Sequence, residues 1–356
     1  MKVLFFTRYS YLGASSRYRT YQYIPYLEAM GVVCHKSHLL SDAYLKALYN
    51  KKSFGAINIV RLFVKRCFKF FFVKHYDIIV IEKELFPFLP PVFEFILVIL
   101  KVPFILDYDD AIFHQYDMHK SFLIRFILGG KIKKIMSWSS AVITGSPYLT
   151  EFARRYADHV VEIPTVIDLN KYILQKIVKQ DIFTIGWIGS PTSSRYLIKI
   201  LPALEKFYNN FICRIKLVGF DCGVLPSSLN IPIEIVPWSE EGETSQIQSF
   251  HVGIMPLDDS PWSQGKCGFK LIQYMACKLP VIASPVGANL NIIQDNVNGF
   301  LASDVDEWYN ALSVLYNNTN LRKKIGEINR EKVEKIYSLQ VTFHTYLQVL
   351  KANLPI

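Results

Sequence analysis

Short apolar runs alternate along the chain with segments of helical period, and that alternation sets the expected architecture. Residues 3–7, 77–81, 104–106 and 141–145 read as buried strands, with a shorter one at 162–164. Between them, Tyr21, Ile24, Tyr26 and Leu27 sit on a helix running toward a stop at Gly31, and a second helix crosses 92–100. A second set follows, with strands at 183–189, 216–219, 233–237 and 251–256. Phe269, Ile272, Met275 and Ala276 then recur at helical spacing, Pro280 stops that helix, and 281–283 reads as a strand. From residue 304 the pattern is helical, with Trp308, Leu312 and Leu315 together, a charged stretch over 322–335, and a last segment over 342–350. The stretch 169–180 is polar and without period. Strands alternating with helices predict parallel, doubly wound sheets. A chain of 356 residues has room for two such domains with cores of their own.

Composition narrows the class. Hydrophobic residues make up 51% of the chain and charged ones 20%, which argues against disorder. Six cysteines include no Cys-x-x-Cys pair, so neither zinc nor a disulfide framework is expected and a reducing cytoplasm fits. Met1 and Lys2 lead straight into the first strand, so no signal peptide is expected. The most apolar window, 93–106, is interrupted by Lys101 and Pro103 and is shorter than a membrane span.

The net charge of +10 is unevenly placed. Residues 1–170 hold 22 Lys and Arg against 14 Asp and Glu, a surplus of 8, whereas 171–356 hold 18 against 16. Two basic, aromatic-rich stretches lie in the first half. In 58–75, Arg61, Lys65 and Lys69 alternate with Leu62, Phe63, Phe68 and Phe72. In 119–138, Lys120, Arg125, Lys131, Lys133 and Lys134 stand among Phe122, Leu123, Phe126, Ile127 and Ile135. Two readings stay open: helices lying in an anionic membrane interface, or helices covering a sheet with their lysines extended outward. No nucleic-acid-binding motif accompanies the charge, so nucleic acid is not expected as a partner.

Three places carry candidate chemistry. Gly265 and Gly268 precede the helix at 269, where unpaired N–H groups at the positive end of the helix suit a phosphate. Lys266, Lys270 and Gln273 stand at i, i+4 and i+7, the spacing of one helix face, and the alternative is a solvated basic face. After the strand at 104–106 come Asp107, Asp109 and Asp110, then His114, at the strand end where such sheets bind ligands. The acids fit either a divalent metal with diphosphate or a metal-free role orienting an acceptor hydroxyl or a histidine. Crowding of the carboxylates predicts that one is raised toward neutral pH. The first loop offers Gly13, Ser15, Ser16 and Arg17, with one glycine in place of a dinucleotide fingerprint, and its alternative is a turn with a capping serine.

Tyr274-Met275-Ala276, the run Pro280-Val281-Ile282-Ala283, Val286-Gly287 and Asn298-Gly299-Phe300 together resemble the donor-binding signature of retaining GT-B glycosyltransferases of family 4. That signature has two glutamates eight residues apart, and here Gly265 and Gln273 stand in their places. The resemblance implies two Rossmann-like, doubly wound domains facing a cleft: an acceptor-side domain over 1–168, a linker over 169–181, a donor domain over 182–335, and a C-terminal helix over 336–356 packing back toward the first domain.

It implies transfer of a sugar from a nucleotide-diphosphate donor, with no cofactor and no metal, to a saccharide acceptor. By charge and family habit that acceptor is lipid-linked, at the inner face of an anionic membrane, in surface polysaccharide assembly. Donor contacts fall to Gly189, Ser190, Arg195, Trp238, Gly265, Gly268 and Gln273, the last on the ribose. Lys266 and Lys270 stabilise the leaving diphosphate, Asp109 and Asp110 serve in catalysis, and Gly13, Ser15, Ser16, Arg17 and His114 line the acceptor or phosphate loop. Asp258 or Asp259 is a candidate for the sugar contact of the absent glutamate. The alternatives are a metal-dependent transferase using Asp107, Asp109 and Asp110, and a non-catalytic membrane-associated binding protein.

Overall fold

The computed structural model describes residues 1–175 and 182–354, so residues 176–181 of the expected linker lie outside the described residues. The chain forms two compact units. One comprises Met1–Thr165, Gln264–Cys267 and Thr342–Ile356, and the other Val166–Ser263 and Gly268–Val341.

The first unit holds six parallel strands: β1 (Lys2–Tyr9), β2 (Val33–Leu40), β3 (Ile78–Glu82), β4 (Phe104–Tyr108), β5 (Ala141–Thr144) and β6 (Val160–Glu162). They are ordered β2-β1-β3-β4-β5-β6. Strands β3, β4 and β5 are buried along their whole length, which is why they read as unbroken apolar runs. The first helix differs from its expectation. The chain makes a turn at Ala14–Ser16, a wide π-helical turn at Arg17–Tyr21 and a separate helix at Ile24–Ala29, whose second residue is Pro25. A proline within the helix would remove a ladder hydrogen bond, so the helix restarts there. Among the last residues, Tyr346 stacks on Tyr23 at 4.4 Å and Thr342 Oγ1 lies 3.0 Å from the Tyr23 hydroxyl.

Arg66 is fully buried in this unit and reaches three backbone carbonyls, donating to Thr7, to Ser37 at 2.7 Å and to Leu85 at 3.4 Å. It ties the helix Ala56–Phe70 to β1, to β2 and to the loop after β3. Lys131 is likewise buried, 2.5 Å from Glu84. These two cations of the basic stretches are therefore structural.

The second unit holds β7 (Phe183–Ile188), β8 (Cys213–Val218), β9 (Ile233–Val236), β10 (Val252–Met255), β11 (Val281–Ala283) and β12 (Phe300–Leu301), ordered β12-β11-β10-β7-β8-β9 and again parallel. Alternation along the strands feeds two cores. Phe183, Ile185 and Trp187 enter one, and Ile188, Val218 and Met255 the other. Tyr172, within the stretch expected as a linker, is buried in the second of these.

The strand order reverses between β7 and β10, where an open α/β sheet has its natural ligand crevice. There the ring of Tyr274 lies flat against Gly253 of β10, whose missing Cβ would fall 2.3 Å from it. The Tyr274 hydroxyl accepts from Ile188 N at 3.0 Å and donates to Ile254 O at 3.2 Å, joining the ends of both strands. This clamp fixes the helix Phe269–Ala276 over the switch point. Gly253→Ala is expected to lower stability by about 1–3 kcal/mol, because the added methyl displaces a ring in a filled core. Urea denaturation measures this, and an unchanged midpoint would show that the ring is free to shift.

Candidate functional site

The first unit gathers a charge cluster at the carboxyl ends of β1, β3 and β4. Lys83 follows β3 with a left-handed backbone (φ 66°), a conformation that non-glycine residues seldom adopt. Its buried ammonium reaches Asp109 at 2.9 Å and Asp110 at 3.0 Å. Lys266 pairs with Asp110 at 3.3 Å, and Ser15 Oγ donates to Asp109. Ser16 Oγ donates to Glu82 at 2.6 Å and accepts from Tyr9 N at 3.0 Å. Arg19 Nε and Nη2 both lie 2.8 Å from Asp107, while Nη1 donates to Ile163 O at 2.6 Å.

The cluster thus unites Ser15, Ser16, Asp109, Asp110 and Lys266, all expected from the sequence, with Glu82, Lys83 and Arg19, which were not. A glutamate and lysine directly after a buried strand were the signal available for two of them. Gly13 closes the turn against Tyr9, whose Cβ leaves no room for a side chain there, and Arg17 donates to Tyr11 O at 3.3 Å. His114 stands apart from these ion pairs. Its Nδ1 lies 3.0 Å from Asp117 and its Nε2 2.8 Å from the Tyr148 hydroxyl. Gly265 is packed against Ala111, 2.4 Å from where its Cβ would be.

One carboxylate is raised toward neutral pH, as expected, but burial rather than crowding is the main cause. Burial pushes Asp107 up to about 6, with Arg19 opposing and Asp109 a lesser contributor. Asp110 moves the other way: burial would raise it, but Lys266 and Lys83 together hold it well below the usual carboxylate range. Lys83 is raised in turn, because the carboxylates outweigh its burial. Among the described residues, no group of three or more His, Cys, Asp or Glu is arranged to hold a metal ion. The Lys83 ammonium fills the place between Asp109 and Asp110 that a cation would need.

The second unit brings a different set together at the ends of β7 and β8. Gly189 N donates to Val218 O at 3.0 Å, and Gly219 N donates to Val236 O at 2.8 Å. Gly219 has a positive φ of 71°, and a Cβ there would lie 2.3 Å from Gly189 O and 3.1 Å from Trp238 Cβ. Lys270 crosses Gly189, its Cε 2.8 Å from where that residue's Cβ would be, and its ammonium lies 5.4 Å from the Trp187 ring. It stands one turn before Tyr274, so the clamp that seats Tyr274 also aims Lys270 at the strand ends.

Gln273 is buried and donates to the Tyr172 hydroxyl at 2.8 Å. Tyr172 donates to Glu243 at 2.6 Å, and Trp238 Nε1 donates to the same carboxylate at 2.8 Å. Gly189, Lys270, Gln273 and Trp238 therefore share one site, organised by Tyr172 and Glu243. Neither of those two had a sequence signal. Ser190 follows Gly189, its hydroxyl 2.9 Å from Thr192, and Arg195 lies over the Tyr196 ring at 5.0 Å. Asp258 accepts from Ser260 at 2.7 Å and from Ser263, and these hydroxyls hold it below its ordinary value despite burial.

Lys266 is not on the face of the Lys270 helix. The helix begins at Phe269, and Gly268 before it takes the left-handed conformation (φ 65°), so the segment Gln264–Cys267 leaves the helical path and belongs to the first unit. Gly268 is required on two counts: its positive φ, and an Ile292 Cδ1 atom 2.3 Å from where a Cβ would sit. No side chain caps this helix.

Asp110→Asn is expected to cost about 1–2 kcal/mol at neutral pH, since it strips a partner from the buried Lys83 and the partly buried Lys266. A depressed carboxylate contributes stability above its unfolded pKa and loses it as pH falls. The difference between parent and variant should therefore shrink below about pH 4. Denaturation at both pH values tests this, and a pH-independent difference would refute the ion-pair account.

Residues 179–318 match the family described as Glycosyl transferases group 1. Comparison of the sequence with curated proteins gives no match. Among solved structures, the chain is similar over 99% of its length to all of Anabaena Alr3699/HepE in complex with UDP and glucose, at 15% identity and a TM-score of 0.74. Sucrose-phosphate synthase from Thermosynechococcus elongatus matches over 99% of this chain and 98% of its own, at 14% identity and a TM-score of 0.70. A glycosyltransferase from Rickettsia africae ESF-5 matches with the same coverage, at 15% identity and a TM-score of 0.71. Two parallel six-stranded sheets of this kind give the chain the GT-B fold, and its residues 179–318 form a domain that matches the group 1 glycosyl transferases.

Proposed function

We propose that the chain moves a sugar from a nucleotide-diphosphate donor to a saccharide acceptor with retention of anomeric configuration, in the manner of family 4. The donor belongs to the second unit and the acceptor to the first. The observation that carries this reading is Lys270, laid across Gly189 at the strand switch point and beside an uncapped helix end. A cation and a helix N-terminus at one place suit the diphosphate, on which negative charge grows as the glycosidic bond breaks. UDP in the Anabaena complex is consistent with that assignment.

Gln273 takes the ribose, with its amide held by Tyr172, and Trp238 borders the base. Gly189, Ser190, Gly268 and Arg195 complete the phosphate side. In the transfer, the acceptor oxygen bonds to the anomeric carbon as the bond to the diphosphate breaks. The acceptor proton passes to the departing phosphate oxygen on the same face. Asp109, presented with Ser15, orients the acceptor hydroxyl, and Lys83 and Lys266 hold the neighbouring Asp110 charged.

The acceptor in this reading is lipid-linked and met at the cytoplasmic face of an anionic membrane, as in surface polysaccharide assembly. No helix among the described residues is long and apolar enough to cross a membrane.

Lys270→Ala is expected to lower kcat about a hundredfold while leaving the acceptor KM unchanged. A variant that raised only the acceptor KM would remove Lys270 from the leaving group. Tyr172→Phe should weaken nucleotide diphosphate binding by about fivefold, the scale of one hydrogen bond. It should do so far less for a donor analogue without ribose hydroxyls, and equal losses for both would show that Tyr172 does not act through Gln273. NMR of the product anomer decides retention against inversion.

A further inference from the structure

The helix Ala56–Phe70 carries its apolar stripe on the wrong side for a helix that merely covers a sheet. Ile57, Val60, Val64, Phe68 and Phe71 follow one another at steps of three and four residues, and all are exposed, Phe68 by 65% and Phe71 by 78%. Arg61 and Lys65 lie beside them on the outer surface. The inner face is made by Arg66, Phe70 and Phe63, the last 5.5 Å from Phe86.

The surface continues beyond this helix. The connections from β2 to β3, β3 to β4 and β4 to β5 all cross the sheet in one direction, so right-handed crossovers place their helices on one face. Phe70 meets Phe93 of the helix Val92–Ile99 at 5.1 Å, and Phe95 of that helix meets Trp138 at 5.4 Å. Outward from this layer stand Phe95 and Ile99, and in the helix Phe122–Leu128 Phe122 and Phe126, the last 77% exposed.

The charge on this face has one sign. No Asp or Glu occurs in 56–76 or in 118–138. With Arg66 and Lys131 turned inward, Arg61, Lys65, Lys74, Lys120, Arg125 and Lys134 remain exposed. Bulky apolar side chains ringed by cations, with no carboxylate between them, match a surface that is anionic at the phosphate level and apolar beneath it.

We propose that this face of the first unit is a monotopic docking surface for an anionic lipid bilayer, with Phe68, Phe71 and Phe126 entering the acyl boundary and Arg61, Lys65 and Arg125 at the headgroups. The proposal rests on the membrane-facing part of the function proposed above and assigns it to particular side chains.

The test is flotation of the full chain with vesicles of phosphatidylcholine alone or mixed with an equal part of phosphatidylglycerol. The chain should float with the mixed vesicles only, less so as salt is added. The double variants Phe68→Ser/Phe71→Ser and Arg61→Glu/Lys65→Glu should each lose about tenfold or more in vesicle affinity, with unchanged thermal melting. Equal binding to both vesicle types, no binding, or variants that bind like the parent would overturn the proposal. So would a concentration-dependent dimer, seen by light scattering, that the variants abolish, since the face would then belong to a second copy of the chain. Hydrolysis of the nucleotide sugar is measured alongside and should be the same in parent and variants. Vesicle binding without any hydrolysis would leave the docking surface standing and sink the transferase reading, and the reverse result would do the opposite.

Discussion

One hydroxyl group organises the second unit of this molecule. Tyr274 spans the ends of β7 and β10, accepting from one strand and donating to the other, while its ring rests on a glycine that has no Cβ to keep it away. The two strands lie where the sheet order reverses, so the helix held by this contact is held at the sheet's ligand crevice. Lys270 comes to Gly189 because it precedes Tyr274 by one turn. Gln273 comes to Tyr172 because it is the neighbouring residue on the same helix. The chemistry proposed for Lys270 and Gln273 thus depends on a packing contact that takes no part in it.

The first unit solves a different problem, that of keeping several carboxylates close together. Burial alone would raise the Asp110 carboxyl. Lys83 prevents this by adopting a left-handed backbone that turns its ammonium between Asp109 and Asp110, and Lys266 adds a second cation from a distant part of the sequence. Asp107 is bound to Arg19 instead. The result is a set of fixed dipoles and charges at the carboxyl end of the sheet, with Ser15 presenting a hydroxyl to Asp109. In the function proposed here, such preorganised groups would position an acceptor without having to rearrange during reaction.

The sheets were readable from the sequence because parallel strands buried on both faces show as apolar runs, as β3, β4, β7 and β11 do. The strand β2 was not. It lies at the sheet edge, its first residues are largely exposed, and Cys34, His35, Lys36, Ser37 and His38 give no apolar run. The expected stripe of Lys266, Lys270 and Gln273 failed because sequence spacing assumes a continuous helix, and Gly268 in a left-handed conformation ends it. Lys83 and Arg19 escaped notice because their partners are distant in sequence, at Asp109, Asp110 and Asp107. Tyr172 and Glu243 are of the same kind: single residues in unremarkable stretches, given meaning by a hydrogen bond across 71 positions. The basic, aromatic stretches were visible as composition, but only the fold separates the cations that hold the unit together, Arg66 and Lys131, from those facing outward.

The central claim is that the second unit binds a nucleoside diphosphate through Lys270 and the helix end, without a metal. A ligand that binds only the folded state raises the melting temperature. Thermal melting of the full chain with UDP, GDP, ADP and the corresponding nucleotide sugars, each with and without EDTA, tests the claim directly. The account predicts stabilisation by one base that EDTA leaves intact and Lys270→Ala reduces. Stabilisation that EDTA abolishes, or none with any nucleotide, would contradict it.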